Sequence, residues 1–375
     1  MRGHLGRRRH RLAVITPLPP SETGIAAYSA RLLEELAALR EVRAYVDGRA
    51  GAGAADPCAG VRGMPLGALR RREATRLFVF GNSPFHTGAL RSLERLGGDV
   101  LLHEVALWGV YIGLEREGAL GPGGARERVR ALEGLTLEET IALSCSMVAE
   151  VVARARRILV HTEHARRELA ARHPDRAADV RVVSFGLPDP MPAAPPSGDP
   201  VVASFGHQRA ADVVVEAFPA IAAAVPSVRL WLVGAEFSAG QMEPLLARLR
   251  SRGLAERVTA TGWLDAERYG ERVGATAVAI QPRLRSYGER SAALADLLSA
   301  GVPTVTHASG HEDGIPAAAI ARVPAGAGAA ELAAATIALL GDPPRRAAMR
   351  EAALAYARAH SFARAAREVL EVLDA

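Results

Sequence analysis

Short apolar runs alternate with helical stretches along almost the whole chain. Leu12–Thr16, Val42–Val46, Leu77–Phe80, Asp99–His103, Ile158–His161 and Arg181–Phe185 are apolar runs of the length of a buried strand. Between them, segments such as Ile25–Leu39 and Leu137–Ala155 repeat apolar residues at the period of a helix. Continuous apolar strands separated by helices predict a parallel sheet covered on both faces. A second series follows: Val201–Phe205, Val228–Val233, Arg257–Thr261, Ala277–Gln281, Pro303–Thr306 and Ala319–Val323. The Ala-rich stretch Pro324–Leu340 favours helix.

Leu187–Pro200 reads LPDPMPAAPPSGDP, whose six prolines fit neither a helix interior nor a central strand. The expected fold class is therefore α/β, with two doubly wound Rossmann-like domains in tandem. The first covers residues 1–186, a Pro-rich hinge 187–200, and the second 201–352. The last helical pattern, Pro343–His360 and onward to Ala375, is long enough to cross between domains. Residues 353–375 are expected to pack back on the first one.

A length of 375 residues suits two domains at about 150–200 residues each. With 49% hydrophobic and 23% charged residues, the composition is globular, which excludes wholesale disorder. No apolar run approaches the ~20 residues of a membrane span. Cys58 and Cys145 are too few for a disulfide framework, which points to a reducing compartment and a cytoplasmic protein. The net charge of +5 is mild for this length and implies no nucleic-acid partner. The sequence contains no lysine, so all 46 basic residues are arginine. Any phosphate held by a cationic side chain must then be held by a planar guanidinium fork. The basic N-terminus through Arg11 reads as a solvated tail. Weak contact with an anionic membrane surface, and hence a peripheral place at the inner membrane face, is the alternative.

In open α/β sheets ligands bind beyond the carboxyl ends of the strands, and polar or glycine residues gather there in both halves. The first half offers Pro17–Gly24, Gly81–His86, His103-Glu104 and His161–His164. The second offers Gly206-His207-Gln208-Arg209, Gly234-Ala235-Glu236, Gly262-Trp263, Arg283 and Gly288-Glu289-Arg290-Ser291. These predict a cleft between two domains, lined by histidine, arginine and backbone amides. Ser291 as N-cap, Gly301 as C′ residue and Pro303 beyond it bracket a helix of about two and a half turns. Its start would offer unpaired N–H groups to a phosphate, and Asp296 one turn further in could accept from ribose hydroxyls. An ordinary capped helix with an exposed aspartate fits the same spacing.

These segments resemble the retaining GT-B glycosyltransferases of family 4, in order and over nearly the whole chain. The matching stretches are TPLPPSETGIAAYSARLLEEL, FGNSPFH, LLHE, VHTEHARREL, VVSFGLPDP, FGHQRAADVVVEAF, VRLWLVGA, VTATGWL and IQPRLRSYGERSAALADLLSAGVPTV. The last is the most specific and is similar to a bacterial subgroup with a Gly-Glu-x-Ser turn. The resemblance implies an acceptor-side first domain and a donor-binding second domain. It places Gly24 beneath the donor diphosphate and His103 beside the reacting sugar. Gly206, His207, Arg209, Arg283, Gly288, Glu289 and the amides of Ser291 and Ala292 would hold the pyrophosphate and sugar hydroxyls. Asp296 would take the ribose. His103, Arg209, Arg283 and Glu289 would carry catalysis.

Two departures from the family pattern are visible. Eight residues before Asp296, where the usual motif has glutamate, stands Gly288, with Glu289 next. The Gly206–Arg209 loop is short and ends in one cation where the family has two, with Arg283 and Arg290 as the available replacements.

The implied reaction moves a sugar from a nucleotide-diphosphate sugar to a hydroxyl of a sugar, small-molecule or lipid-linked acceptor, with retention. The implied cofactor list is empty: no metal is expected. His161-x-x-His164 and His307-x3-His311 have ligand spacing but fall in predicted loops. A different class stays open, a noncatalytic nucleotide-sugar-binding or partner protein on a degenerate GT-B fold. A phosphorylase of this fold is excluded, because it needs a pyridoxal-phosphate lysine.

Overall fold

The computed structural model describes residues 11–21, 23–47, 60–61, 63–71, 75–121, 124–136, 138–139, 147–191 and 198–375. The basic tail before Arg11, both cysteines, half of the 51–72 loop, much of the expected Leu137–Ala155 helix and hinge residues 192–197 lie outside them. The chain forms two compact units, one comprising 1–186, 287–289 and 362–375, the other 187–286 and 290–361.

The first unit runs β1 (Leu12–Ile15), α1 (Gly24–Leu39), β2 (Val42–Val46), β3 (Gly63–Pro65), β4 (Thr75–Phe80), α2 (Thr87–Leu96), β5 (Gly98–Leu102), α3 (Trp108–Arg116), α4 (Gly124–Glu133), α5 (Ala149–Arg154), β6 (Ala155–Val160), α6 (Glu163–Arg172) and β7 (Val180–Val182). Its seven strands lie in the order β3-β2-β1-β4-β5-β6-β7, and each neighbouring pair is parallel. The four residues of β1, LAVI, are all buried, as a strand covered on both faces requires. Among the described residues, β3 is the strand that escapes the apolar-run criterion, and β7 ends at Val182 rather than at the expected Phe185. Strand β3 is three residues long, contains glycine and proline, and sits at the sheet edge, where a missing N–H is tolerated.

The second unit continues with β8 (Val201–Phe205), α7 (Ala211–Ala224), β9 (Arg229–Val233), α8 (Met242–Arg250), β10 (Val258–Gly262), α9 (Ala266–Gly274), β11 (Val278–Gln281), α10 (Ala292–Ala300), β12 (Thr304–Ala308), β13 (Ala321–Pro324), α11 (Ala329–Leu340) and α12 (Pro343–Ala359). Its six parallel strands follow the order β10-β9-β8-β11-β12-β13. Alternate residues of β8 serve two cores: Val202 joins Val214, Phe218, Leu230 and Ile280 on one face. Val201, Ala203 and Phe205 join Val233, Val273 and Leu297 on the other.

In both sheets the strand order reverses beside the first strand, between β1 and β4 and again between β8 and β11. A ligand crevice belongs at such a switch point, outside the carboxyl ends. The C-terminal segment differs from expectation. It is two helices, α12 and α13 (Phe362–Asp374), and only α13 joins the first unit, so the crossing falls at Ser361 rather than at residue 353. The break coincides with a long-range contact: Leu187 N–H donates to the His360 carbonyl at 2.9 Å, and Leu187 bridges Ser361 in strand fashion.

Candidate functional site

At the second unit's switch point, β8 ends in Gly206, whose N–H donates to the Val233 carbonyl at 2.9 Å. A Cβ placed on Gly206 would come within 3.5 Å of the Ala293 Cβ, so the glycine turn faces the first turn of α10. Behind it stands Gly234 with φ +127°, where a Cβ would lie 2.1 Å from the Gly206 carbonyl oxygen. Buried Gln208 fastens the turn, its amide N–H groups donating to the carbonyls of Gly206 and Val233, each at 3.1 Å. From sequence, the candidate residues of this loop are Gly206, His207 and Arg209, with no part for Gln208; a glutamine two residues after the turn glycine is the one signal of the clasp.

The helix expected after Ser291 is present with both caps. The Ser291 hydroxyl accepts from Leu294 N–H at 3.2 Å, and Gly301 closes the helix in the left-handed region. No acidic side chain lies in its first turn, so nothing there competes with an incoming anion for the exposed N-terminal amides of Ala292 and its neighbour. Further along α10, Asp296 accepts a hydrogen bond from the Tyr269 hydroxyl of α9 at 3.1 Å.

Arg283 follows β11. Its N–H donates to His307 Nδ1 at 3.1 Å, and the other nitrogen of that ring donates to the Ala327 carbonyl at 2.9 Å. The arginine is thus placed by its backbone. Arg209 is exposed and lays its guanidinium over the Phe237 ring, 4.6 Å from the centroid. The pKa of neighbouring His207 is lowered, first by partial desolvation and then by the Arg209 charge. Arg290 is not an open cation: it donates to the carbonyls of His311 and Asp313 and clamps that turn. His311 engages Thr306 and Ser309 through its two nitrogens, and burial together with the surrounding arginines pushes it down to about 2. All four ring nitrogens of His307 and His311 thus have hydrogen-bond partners.

The remaining expected residues belong to the first unit. Gly24 opens α1 just after Thr23, whose hydroxyl accepts from Ala26 N–H at 3.0 Å. His103 follows β5, and its backbone N–H donates to the Phe80 carbonyl at 2.9 Å. Its ring lies between Tyr28, centroids 4.6 Å apart and edge-on, and His161, 4.8 Å away. It is 7% exposed, and Nε2 finds no hydrogen-bond partner among the described residues. Burial, and then the proximity of His161 and His86, hold its pKa well below the ordinary histidine value, so the imidazole is neutral. A neutral ring of this kind can exchange hydrogen bonds with a hydroxyl without adding a charge.

Gly288 accepts at its carbonyl from the Thr162 hydroxyl at 3.1 Å, and a Cβ there would sit 2.6 Å from the Ala165 Cβ. Its identity is set by packing. The Glu289 carboxylate accepts from the Tyr287 N–H, which closes the turn on itself. The structure thus brings Gly206, Ser291, Ala292 and Asp296 onto adjoining elements of the second unit. Gly24, His103, Gly288 and Glu289 are placed in the first.

The fold so assembled, two parallel-sheet Rossmann-like units in one chain, is that of the GT-B glycosyltransferases. Residues 200–342, essentially the second unit's sheet and helices, match the model of the family described as Glycosyl transferases group 1. Among solved structures, sucrose-phosphate synthase from Thermosynechococcus elongatus superimposes with a TM-score of 0.69 at 17% identity, covering 98% of each chain. HepE of Anabaena, crystallised with UDP and glucose, gives 0.66 at 13% identity over 97% of this chain and 99% of its own. WaaG, a glycosyltransferase of lipopolysaccharide biosynthesis, gives 0.64 at 14% identity over 96% and 99%. No curated protein matches the sequence significantly.

Proposed function

We propose that this protein is a retaining, metal-independent glycosyltransferase of the family 4 type, which transfers a sugar from a nucleotide-diphosphate sugar to an acceptor hydroxyl. The observation that carries the reading is the Gly206 turn facing the start of α10 at the β8/β11 switch point, inside the stretch that matches the glycosyltransferase group 1 model. A glycine turn admits the diphosphate close to the backbone, and a helix N-terminus with no acidic side chain in its first turn supplies N–H donors and partial positive charge. Arg209 and Arg283 are the side-chain cations offered to the leaving diphosphate, and one well-placed donor of this kind is worth roughly 3–4 kcal/mol of barrier. Asp296 takes the ribose. The neutral His103 ring meets the transferred sugar, and Gly24, His207, Gly288 and Glu289 complete the donor contacts. The acceptor is a sugar, a small molecule or a lipid-linked hydroxyl.

The commitment of Arg290 to two carbonyls removes one replacement for the missing loop cation. That favours, as the second reading, a protein that binds the nucleotide sugar without turnover.

A thermal-shift panel of UDP-, GDP-, ADP- and TDP-sugars, followed by product analysis, tests the proposal. A ligand that binds only the folded state raises the apparent stability, so at least one donor must raise the melting temperature. Product from that donor in the presence of EDTA, with the donor's anomeric configuration, supports the full reading. Binding without product supports the second, and no response to any donor rejects both.

A further inference from the structure

Tyr269 is assigned no role by the motifs above, yet it touches two parts of the candidate donor site. Its hydroxyl donates to Oδ2 of Asp296 at 3.1 Å. Its ring stands edge-on against Phe205, centroids 5.6 Å apart and planes at 78°. Phe205 is the last residue of β8, immediately before the Gly206 turn. One side chain on α9 therefore ties the strand that delivers the glycine turn to the helix that carries the carboxylate. The phenol stays a donor at all ordinary pH, because burial and the adjacent carboxylate both raise its pKa well above 10.

A carboxylate that must receive a vicinal diol needs its plane fixed, since each of its oxygens accepts in defined directions. Aspartate has only a short side chain with which to hold that plane, and α10 restricts χ1 but leaves the terminal torsion broad. A hydrogen bond from a packed tyrosine removes that last freedom. We infer that Tyr269 is a positioning residue: by holding Oδ2 of Asp296 it turns the carboxylate toward a ribose diol, so that the site reads the sugar of the nucleoside as well as its diphosphate. This rests on the donor-site reading given under the proposed function.

The test is calorimetric and uses three probes on the full chain: the nucleoside diphosphate found in the donor panel, its 2′,3′-dideoxy counterpart, and inorganic pyrophosphate. Tyr269→Phe keeps the ring against Phe205 and removes only the hydroxyl. It is expected to weaken the nucleoside diphosphate about 3- to 10-fold, the span of one hydrogen bond. Affinity for the dideoxy compound and for pyrophosphate stays at the wild-type value, so the wild-type preference for ribose over dideoxyribose shrinks. Asp296→Asn should shrink that preference as well. Equal weakening of all three probes by Tyr269→Phe overturns the inference, because a purely structural contact acts that way. Wild-type affinities for all three probes in Tyr269→Phe, alongside a loss in Asp296→Asn, overturn it while leaving the donor site standing. Wild-type protein that binds no nucleoside diphosphate ends both.

Discussion

The backbone N–H of Arg283 and the imidazole of His307 are joined at 3.1 Å, and the far nitrogen of that ring reaches the Ala327 carbonyl at 2.9 Å. The ring is fully buried, so it acts as a rigid spacer between the loop after β11 and the segment before α11. Replacing it leaves a donor and an acceptor unsatisfied in the interior. His307→Leu should cost about 2–4 kcal/mol in denaturant unfolding. It should also lower transfer activity beyond the loss of folded protein, because Arg283 loses its anchor. Unchanged stability would show that the ring is not the spacer described.

Acid should weaken the first unit through its histidines. Burial pushes His86 down to about 4, and His103 is lowered as well. The unfolded chain takes up a proton as pH falls below about 6.5, whereas folded His86 resists until about 4. Stability is therefore complete above pH 6.5, declines between 6.5 and 4, and levels off below. The His86 share of that decline is about 3 kcal/mol. Unfolding free energies at pH 7.5 and 4.5 should differ less in His86→Leu than in wild type, and an equal difference would place the acid sensitivity elsewhere.

The elements that could be read from the sequence are those written in one continuous stretch. β8 is five apolar or small residues in a row and appears at the expected bounds. The helix after Ser291 is bracketed by a capping serine and a left-handed glycine, both used as such. What stayed hidden depends on residues far apart in the chain. Tyr269 and Asp296 are 27 residues apart on different helices, and Arg283 and His307 are 24 apart. The spacing of His307 and His311 suggested ligand geometry because spacing carries no information about which carbonyls and hydroxyls surround a ring. The single long terminal helix is two, and the break coincides with a bridge between Ser361 and Leu187, a contact no local pattern announces.

Close approach adds to a positive φ in fixing Gly234. Its Cβ would meet the Gly206 carbonyl oxygen at 2.1 Å, and backbone atoms cannot swing aside as a side chain can. Gly234→Ala should destabilise the protein by about 2–4 kcal/mol and weaken nucleotide binding by displacing the Gly206 turn. Gly262→Ala is the comparison, since a Cβ there meets nothing within 4 Å and only its positive φ resists, at about 1 kcal/mol. Equal costs for the two variants, measured by urea unfolding, would rule out the close-approach account.

Arg209 and Phe237 should act as one unit in catalysis. The guanidinium rests 4.6 Å above the ring centroid, and such a contact at an exposed position is worth about 0.5–1 kcal/mol. That is enough to bias a long, otherwise mobile side chain toward one orientation. With the donor and acceptor identified, Arg209→Ala should lower kcat/KM about 10- to 100-fold, less than the largest losses seen when a buried oxyanion donor is removed. Phe237→Leu should lower it by about 2- to 5-fold, the equivalent of the lost ring contact. The double variant should be no worse than Arg209→Ala alone, because the ring contributes only through the arginine. Strictly additive losses would mean that Phe237 meets the substrate by itself, and a neutral Arg209→Ala would leave Arg283 and the α10 amides to hold the diphosphate.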